Sequence, residues 1–251
     1  MEPHANFIAS VLILSLRIVP TFAFAPPFTL VRTPVTVRLA LSLGLSLWLV
    51  AANPQAASTV GRDMGALAGA AVAELLLGAT LAISLQLAFA ALLTAGRALD
   101  IQVGFGLAQI ADPTLRTHMP LVGTLFMYAA GAVFFAMNGP LDLLAIWSRT
   151  LDVIPLGSFT AVPSLGPLLN YIGFVFALAF GLAGVVFLVI FIIDIAIAFM
   201  SRTLPQMNVL LLGFQVKTIA LLLTLPFVFA FSGALFLRLM RLAIDATASL
   251  L

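Results

Sequence analysis

The sequence contains no cysteine, two histidines and one lysine, Lys217, among its 251 residues. Without cysteine there are no disulfides, no thiolate nucleophile and no cysteine-ligated metal site. Charged residues make up only 8% of the chain, against about 25% in soluble domains, which leaves too little polar surface for a soluble protein. The basic residues stand singly along the chain, so no basic patch for nucleic acid is predicted.

Apolar residues make up 63% of the chain, against about 45–50% in soluble domains. They are gathered into six blocks, 7–31, 39–52, 64–95, 119–137, 168–193 and 207–237. Because a membrane-spanning helix needs about 20 apolar residues, the simplest interpretation is six crossings. The N-terminus lacks the positive charge that opens a signal peptide, so we expect the first block to remain in the mature chain.

Two of the six blocks fit a simple crossing badly. Block 39–52 is shorter than a span, and block 64–95 would be roughly 48 Å long as one helix at about 1.5 Å per residue, beyond the hydrocarbon core of about 30 Å. We therefore predict an all-α polytopic membrane protein of long, partly broken helices and helical hairpins, many of them packed on protein. Gly173, Ala177 and Gly181 stand four residues apart, a spacing that favours close helix packing but also arises simply because membrane helices are rich in small residues.

The segment from Arg97 to Pro120 is the richest in polar and helix-breaking residues. Gly104 and Gly106 interrupt a helix, and Asp112-Pro113 is a turn or helix-start signal. The Gly-x-Gly pattern is a weak indication of a phosphate loop, because no third glycine, preceding strand or Lys-Ser/Thr accompanies it. A re-entrant or lumen-lining loop is favoured, since non-helical backbone at membrane depth is tolerated there; an ordinary interhelical loop is the alternative.

A second marked segment spans residues 194–217, in which 201–208 separates two strongly apolar helices. Its arginine, Arg202, has three possible environments. It can reach the membrane interface by snorkelling, pair with Asp194 if the helix breaks between them, or pair with another carboxylate. Glu74 is one such carboxylate within the chain, and a neighbouring subunit could supply another.

A third, shorter segment ends the fourth apolar block. Phe134 to Met137 is followed by Asn138-Gly139, a dipeptide typical of turns. We predict a helix that ends in an Asn-Gly turn.

A small-molecule permease is one rival interpretation. Residues 17–20 and 202–205 share an Arg-x-x-Pro pattern, and inverted repeats are typical of transporters. A permease usually directs ionisable residues toward a site at the bilayer midplane. Glu74, Asp194 and Lys217 are too dispersed along the sequence to predict such a site.

An intramembrane hydrolase is a second rival. It would need a nucleophile with a base, a carboxylate pair or a metal cluster. The two histidines, His4 and His118, have no partner at catalytic spacing, and the sequence contains no HExxH motif. We therefore expect neither an enzyme nor a bound cofactor or metal.

Several short motifs, taken in their order and spacing, resemble the FliR family of flagellar protein-export gate subunits, whose injectisome counterpart is the SctT type. They run over nearly the whole chain: Arg17-Ile18-Val19-Pro20 with Pro26, Glu74-Leu75-Leu76-Leu77-Gly78, Gln102-Val103-Gly104-Phe105-Gly106 with Asp112-Pro113, Phe134-Phe135 with Asn138-Gly139, Val153-Ile154-Pro155-Leu156-Gly157, Arg202-Thr203-Leu204-Pro205-Gln206-Met207-Asn208-Val209, and Gly213-Phe214-Gln215-Val216-Lys217. The segment 107–111 departs from the family pattern, because few aromatic residues follow Phe105.

The resemblance implies a single FliR-like domain over residues 1–251, with a FliP-like portion at about 1–150 and a FliQ-like portion at about 160–251. Such a chain assembles with FliP-like and FliQ-like subunits, and with an FlhB-like subunit, into a cone-shaped channel. The channel belongs to the flagellar basal body in the bacterial inner membrane. Unfolded flagellar proteins pass through it, and a flagellar role is favoured over an injectisome one.

The resemblance also implies roles for individual residues. A glycine-rich loop inside the channel helps to close it, and the matching residues are Gln102, Gly104, Phe105, Gly106, Leu107, Asp112 and Pro113. Subunit assembly is implied for Glu74, Asn138, Gly139, Arg202, Pro205, Gln206, Asn208 and Lys217.

Overall fold

The computed structural model describes residues 2–30, 33–54, 64–105, 120–158, 165–203 and 208–249. Within these ranges the chain forms nine helices and no strand. The helices are α1 (Glu2–Phe24), α2 (Pro26–Leu30), α3 (Val35–Ala52), α4 (Met64–Val103), α5 (Leu121–Ala136), α6 (Gly139–Val153), α7 (Leu165–Thr203), α8 (Val209–Phe231) and α9 (Gly233–Ser249). The predicted all-α class is confirmed.

Two helices are much longer than a bilayer crossing requires. α4 has 40 residues and α7 has 39, which at about 1.5 Å per residue makes each roughly 60 Å long. Both are rich in Leu and Ala and contain no proline beyond the first turn, so no backbone N–H is missing from their interiors. α7 continues ten residues past Ile193, where the apolar block ends.

In the part of the chain that the structure describes, five helices are long and apolar enough to cross a membrane: α1, α3, α4, α7 and α8. The bent pair α5 and α6 gives a sixth span if the two are counted as one, which would equal the simplest count from the apolar blocks. α3 begins at Val35 and has 18 residues, so the helix is longer than the apolar block 39–52 from which it was predicted. These assignments follow from helix length and composition.

The break between α5 and α6 occurs at the predicted Asn-Gly turn. The two helix axes differ by 67°, and Asn138 adopts a left-handed conformation with φ 63°, which asparagine tolerates better than most residues. A Cβ atom at Gly139 would overlap the ring of Phe134. The turn is therefore tight, and the prediction of a helix end at Asn138-Gly139 is confirmed.

The chain divides into two compact units. The first contains Met1–Leu87, Gly131–Ile172 and Arg241–Leu251, and the second contains Ala88–Ala130 and Gly173–Met240. Large side chains in the core of the first unit are Leu14, Ile18, Leu77, Leu81, Leu85, Phe134 and Trp147. In the second unit they are Phe89, Leu92 and Phe126.

Large apolar side chains cover the outer faces of α3, α7 and α8. Trp48 on α3, Phe191 on α7, and Leu222 and Phe227 on α8 are all more than half exposed. Extended exposed apolar patches are rare on monomeric soluble proteins and mark contact with lipid or with another protein. The folded chain therefore leaves much of its apolar surface to be covered by its surroundings.

Candidate functional site

A buried ion pair joins α1 to α4. Arg17 Nε donates to Glu74 Oε2 at 2.5 Å, and Arg17 Nη2 donates to Glu74 Oε1 at 2.8 Å. Both side chains have no exposed surface. The planar guanidinium matches the carboxylate with two parallel bonds, so each charge is neutralised where water is excluded.

The last turn of α6 and the segment after it form further hydrogen bonds with this pair. Arg17 also donates to Thr150 Oγ1 at 2.8 Å and to the Ile154 carbonyl at 3.1 Å. Glu74 Oε1 accepts the Gly157 N–H at 2.9 Å. Gly157 has φ +76°, a conformation that glycine adopts without strain. We call Arg17, Glu74, Thr150, Ile154 and Gly157 the buried charge cluster; all five lie in the first unit.

A glycine of α4 allows α1 to approach closely beside the ion pair. A Cβ atom at Gly78 would stand 2.5 Å from the Arg17 carbonyl oxygen and 2.7 Å from that of Leu16, so only glycine admits this approach of α1. Pro20 has no N–H to donate to the Leu16 carbonyl four residues earlier. Three motifs that are far apart in the sequence, 17–20, 74–78 and 153–157, thus meet in one cluster.

A second ion pair lies in the second unit. Lys217 of α8 forms a salt bridge with Asp194 of α7, and its Nζ also donates to the Gln102 carbonyl at 3.2 Å. The Asp194 side chain is 37% exposed and that of Lys217 is 19% exposed. Gln102 is in the last turn of α4, where carbonyls have no partner within the helix. Lys217 therefore binds both the Asp194 carboxylate and a carbonyl at the end of α4.

Gly104 ends α4 as predicted. Its φ is +104°, its N–H donates to the Ile101 carbonyl at 3.1 Å, and the Phe105 N–H donates to the Asp100 carbonyl at 2.9 Å. This pair of bonds is a Schellman motif with glycine in the left-handed position. The Phe105 ring then packs edge-on against Phe214 of α8, with ring centroids 6.2 Å apart.

Other predicted site residues are placed as follows. Asn208 caps the start of α8 through its side chain, which accepts the Leu211 N–H at 3.3 Å. Arg202 lies in the last turn of α7 and is exposed. Six predicted residues lie outside the described ranges: Gly106, Leu107, Asp112, Pro113, Pro205 and Gln206.

The two pairings proposed for Arg202 within the chain are wrong. α7 continues without a break from Asp194 through Arg202, so the two side chains remain about 12 Å apart along the helix. Asp194 pairs with Lys217 and Glu74 pairs with Arg17. Among the described residues Arg202 makes no ion pair. The remaining interpretations are the membrane interface and a neighbouring subunit.

The small-residue stripe on α7 does not pack against the described part of this chain. Gly173, Ala177 and Gly181 are exposed, and a Cβ atom at either glycine would meet no described atom within 4 Å. Close packing there stays a prediction about a neighbouring chain.

Sequence reasoning missed part of the charge arrangement. It considered Glu74, Asp194 and Lys217 only as a possible permease site and did not predict that Asp194 pairs with Lys217. It also gave Arg17 no site role, although an intramembrane charge is a functional candidate by default.

No group of three His, Cys, Asp or Glu that could hold a metal ion occurs among the residues that the structure describes.

The helices and their internal charge pairs define an integral membrane protein of the polytopic helical class. Residues 8–243 match the family described as Bacterial export proteins, family 1, and the chain belongs to that family. It is similar to the Flagellar biosynthetic protein FliR of Escherichia coli, with 26% identity over 94% of this chain and 91% of the relative. The Aquifex aeolicus protein of the same name is 29% identical over 89% of this chain and 88% of the relative. Surface presentation of antigens protein SpaR of Salmonella typhimurium is 29% identical over 61% of this chain and 57% of the relative.

Proposed function

We propose that this chain is a subunit of the flagellar type III protein-export gate, where it helps to form and close the channel for unfolded flagellar proteins. The observation that carries the proposal is the match to flagellar relatives along almost the whole chain. SpaR matches over 61% of the chain and represents the injectisome alternative.

The use of the acidic side chains favours a scaffold over a permease. Glu74, Asp100 and Asp194 are the acidic residues in the described apolar spans of α1, α3, α4, α7 and α8, the first of which begins at Asn6. Glu74 pairs with Arg17, and Asp194 pairs with Lys217. The Asp100 carboxylate accepts a backbone N–H. A permease needs ionisable groups that remain available to substrate or ion. The charges here join helices, which suits a structural role without catalytic chemistry.

The exposed apolar faces support assembly with other membrane subunits. α7 and α8 present a large apolar surface that also carries the partly exposed Asp194 side chain. Lipid tails offer no hydrogen bond to a carboxylate, whereas a protein neighbour does. FliP-like, FliQ-like and FlhB-like subunits in the inner membrane are the partners of this proposal, with a FliP-like portion at about 1–150 and a FliQ-like portion at about 160–251.

We assign channel closure to the glycine-rich segment that runs from Gln102 in the last turn of α4 to Pro113. The described start of this segment contacts α8: the Gln102 carbonyl accepts a hydrogen bond from Lys217, and the Phe105 ring packs on Phe214. The segment therefore begins at a position that is fixed by α8. Deleting residues 105–110 should raise the leakage of small ions or dyes through the assembled gate. Unchanged permeability together with unchanged export would make the loop a simple connector.

Purification of the tagged chain from its native membrane tests the function. We expect FliP-like and FliQ-like proteins to co-purify, and deletion of the gene to abolish secretion of flagellar subunits until the chain is restored. Normal flagella with loss of another secreted protein class would favour the injectisome role. A chain that purifies alone or as a small homo-oligomer would favour a permease.

A further inference from the structure

The ion pair between Asp194 and Lys217 presents its two charges unequally to the surface of the second unit. Lys217 contacts one carboxylate oxygen, Oδ1, and also donates to the Gln102 carbonyl at the end of α4. Its side chain is 19% exposed, whereas that of Asp194 is 37% exposed. The cation is therefore held against α4, and the more exposed partner of the pair is the carboxylate, which can only accept hydrogen bonds.

This carboxylate lies among apolar side chains at membrane depth. The apolar span of α8, Leu211–Phe231, has 21 residues and is about 31 Å long at about 1.5 Å per residue, close to the hydrocarbon thickness of about 30 Å. Lys217 lies about 9 Å inside that span, measured from Leu211. On α7, Phe191 and Ala198 are one turn before and one turn after Asp194, and both are exposed. The carboxylate thus interrupts an apolar helix face.

The chemistry of the pair selects the kind of group that can complete it. Within the described ranges Lys217 is the one partner of the Asp194 carboxylate, so the second oxygen, Oδ2, keeps its capacity to accept a hydrogen bond. Lys217 already neutralises the negative charge. A second cation would leave a net positive charge in an apolar contact, which is costly. A neutral N–H or O–H group adds a hydrogen bond without adding charge.

We propose that Asp194 marks the docking site of an apolar membrane helix from a neighbouring subunit, and that this helix carries a neutral hydrogen-bond donor, an amide or hydroxyl side chain, opposite the carboxylate. The inference rests on the proposed role of the chain as a gate subunit, and it adds the chemistry by which one partner is recognised. Phe191 and Ile195, which are 58% and 43% exposed, supply apolar contact around the polar one. A helix without a donor at this position leaves the carboxylate oxygen unsatisfied.

Two double variants that differ only at position 194 test the hydrogen bond. Asp194→Asn/Lys217→Met and Asp194→Leu/Lys217→Met both remove the ion pair, so any effect of losing it is shared. Asparagine keeps an oxygen that accepts from a neutral donor, whereas leucine has a similar size and no acceptor. Each variant is co-expressed with differently tagged wild-type chain, and the ratio of the two in the assembled complex is measured. We expect the asparagine variant to be incorporated about three- to tenfold better than the leucine variant, the range for one hydrogen bond between membrane helices.

Equal incorporation of the two double variants would overturn this inference alone, in cells whose wild-type complex contains FliP-like and FliQ-like subunits. A wild-type chain that purifies without such subunits would instead overturn the proposed function. Thermal unfolding of the isolated variants in detergent should give equal midpoints, because both variants lack the same ion pair. The difference in incorporation then arises in the contact with the partner and not in the fold of the chain.

Photocrosslinking tests the docking site in a chain that keeps its ion pair. A benzophenone amino acid is placed at position 191, and the same replacement at Trp48, an exposed position on α3, is the control. We expect the product at 191 to join this chain to a membrane-spanning peptide with an Asn, Gln, Ser or Thr side chain within one turn of the cross-link. Adding Asp194→Leu/Lys217→Met should weaken that product severalfold and leave the Trp48 product unchanged. A product with lipid alone, or with a span that offers only Arg or Lys there, would overturn the inference.

Discussion

Arg17 and Glu74 are 57 positions apart in the sequence and form a two-bond ion pair with no exposed surface. The pair brings the middle of α1 against α4, and the segment that follows α6 closes over it through Ile154 and Gly157. Three helices are therefore held by one set of hydrogen bonds. Because the polar groups satisfy one another, the cluster is tolerated among apolar side chains.

Breaking this pair from one side should be more damaging than removing both charges. Arg17→Ala or Glu74→Ala strands a buried charge and should lower the free energy of unfolding by about 3–5 kcal/mol. The double variant Arg17→Met/Glu74→Leu should lose less than either single change. Arg17→Lys keeps the charge without the planar fork and should be intermediate. Thermal unfolding of the purified chain in detergent checks the series, and additive losses in the double variant would contradict it.

The close contact at Gly78 should tolerate no side chain. Gly78→Ala places a Cβ atom 2.5 Å from the Arg17 carbonyl oxygen, so α1 must move away, at a cost of about 1–3 kcal/mol. Gly69→Ala on the same helix is the control, since a Cβ atom at Gly69 would meet no described atom within 4 Å. The control should be neutral or slightly stabilising. Equal unfolding temperatures for the two variants would argue against the contact.

The stripe on α7 should matter for assembly rather than for the fold of the chain. A Cβ atom at Gly181 meets no described atom of this chain within 4 Å, so Gly181→Leu should leave the unfolding temperature of the isolated chain near wild type. Recovery of the assembled complex should fall if a partner helix packs closely there. Gly44→Leu on α3 is the control, because it makes the same substitution at another exposed glycine where a Cβ atom would meet no described atom within 4 Å. Normal recovery of Gly181→Leu would place the stripe against lipid or an open cavity.

Arg202 distinguishes a subunit contact from an interfacial anchor. Arg202→Ala should leave the isolated chain folded, because the side chain is exposed and has no ion-pair partner among the described residues. If a carboxylate of a neighbouring subunit pairs with it, alanine should abolish assembly and motility, and lysine should restore them only in part. If Arg202 instead reaches the membrane interface by snorkelling, Arg202→Lys should function as well as wild type and Arg202→Ala should have only a mild effect. Soft-agar motility, with membrane levels checked by blot, separates the two.

Composition and local chemistry alone established the class of this protein. The apolar blocks predict membrane helices because most are long enough for a bilayer and carry almost no charge. Helix ends were also readable, since Gly104 and Asn138 adopt backbone conformations that few other residues tolerate. The order and spacing of short motifs indicated the family that the match over residues 8–243 confirms.

Only the tertiary structure decided which charges meet. The sequence offered Asp194 and Glu74 as partners for Arg202, whereas the fold pairs Asp194 with Lys217 and Glu74 with Arg17. Ion pairing depends on which helix faces touch, and that is set by packing between helices far apart in the chain. Spacing along one helix determines only which residues share a face. The contact of Gly78 with the α1 backbone is likewise invisible in the sequence, because it exists only when two distant helices approach each other.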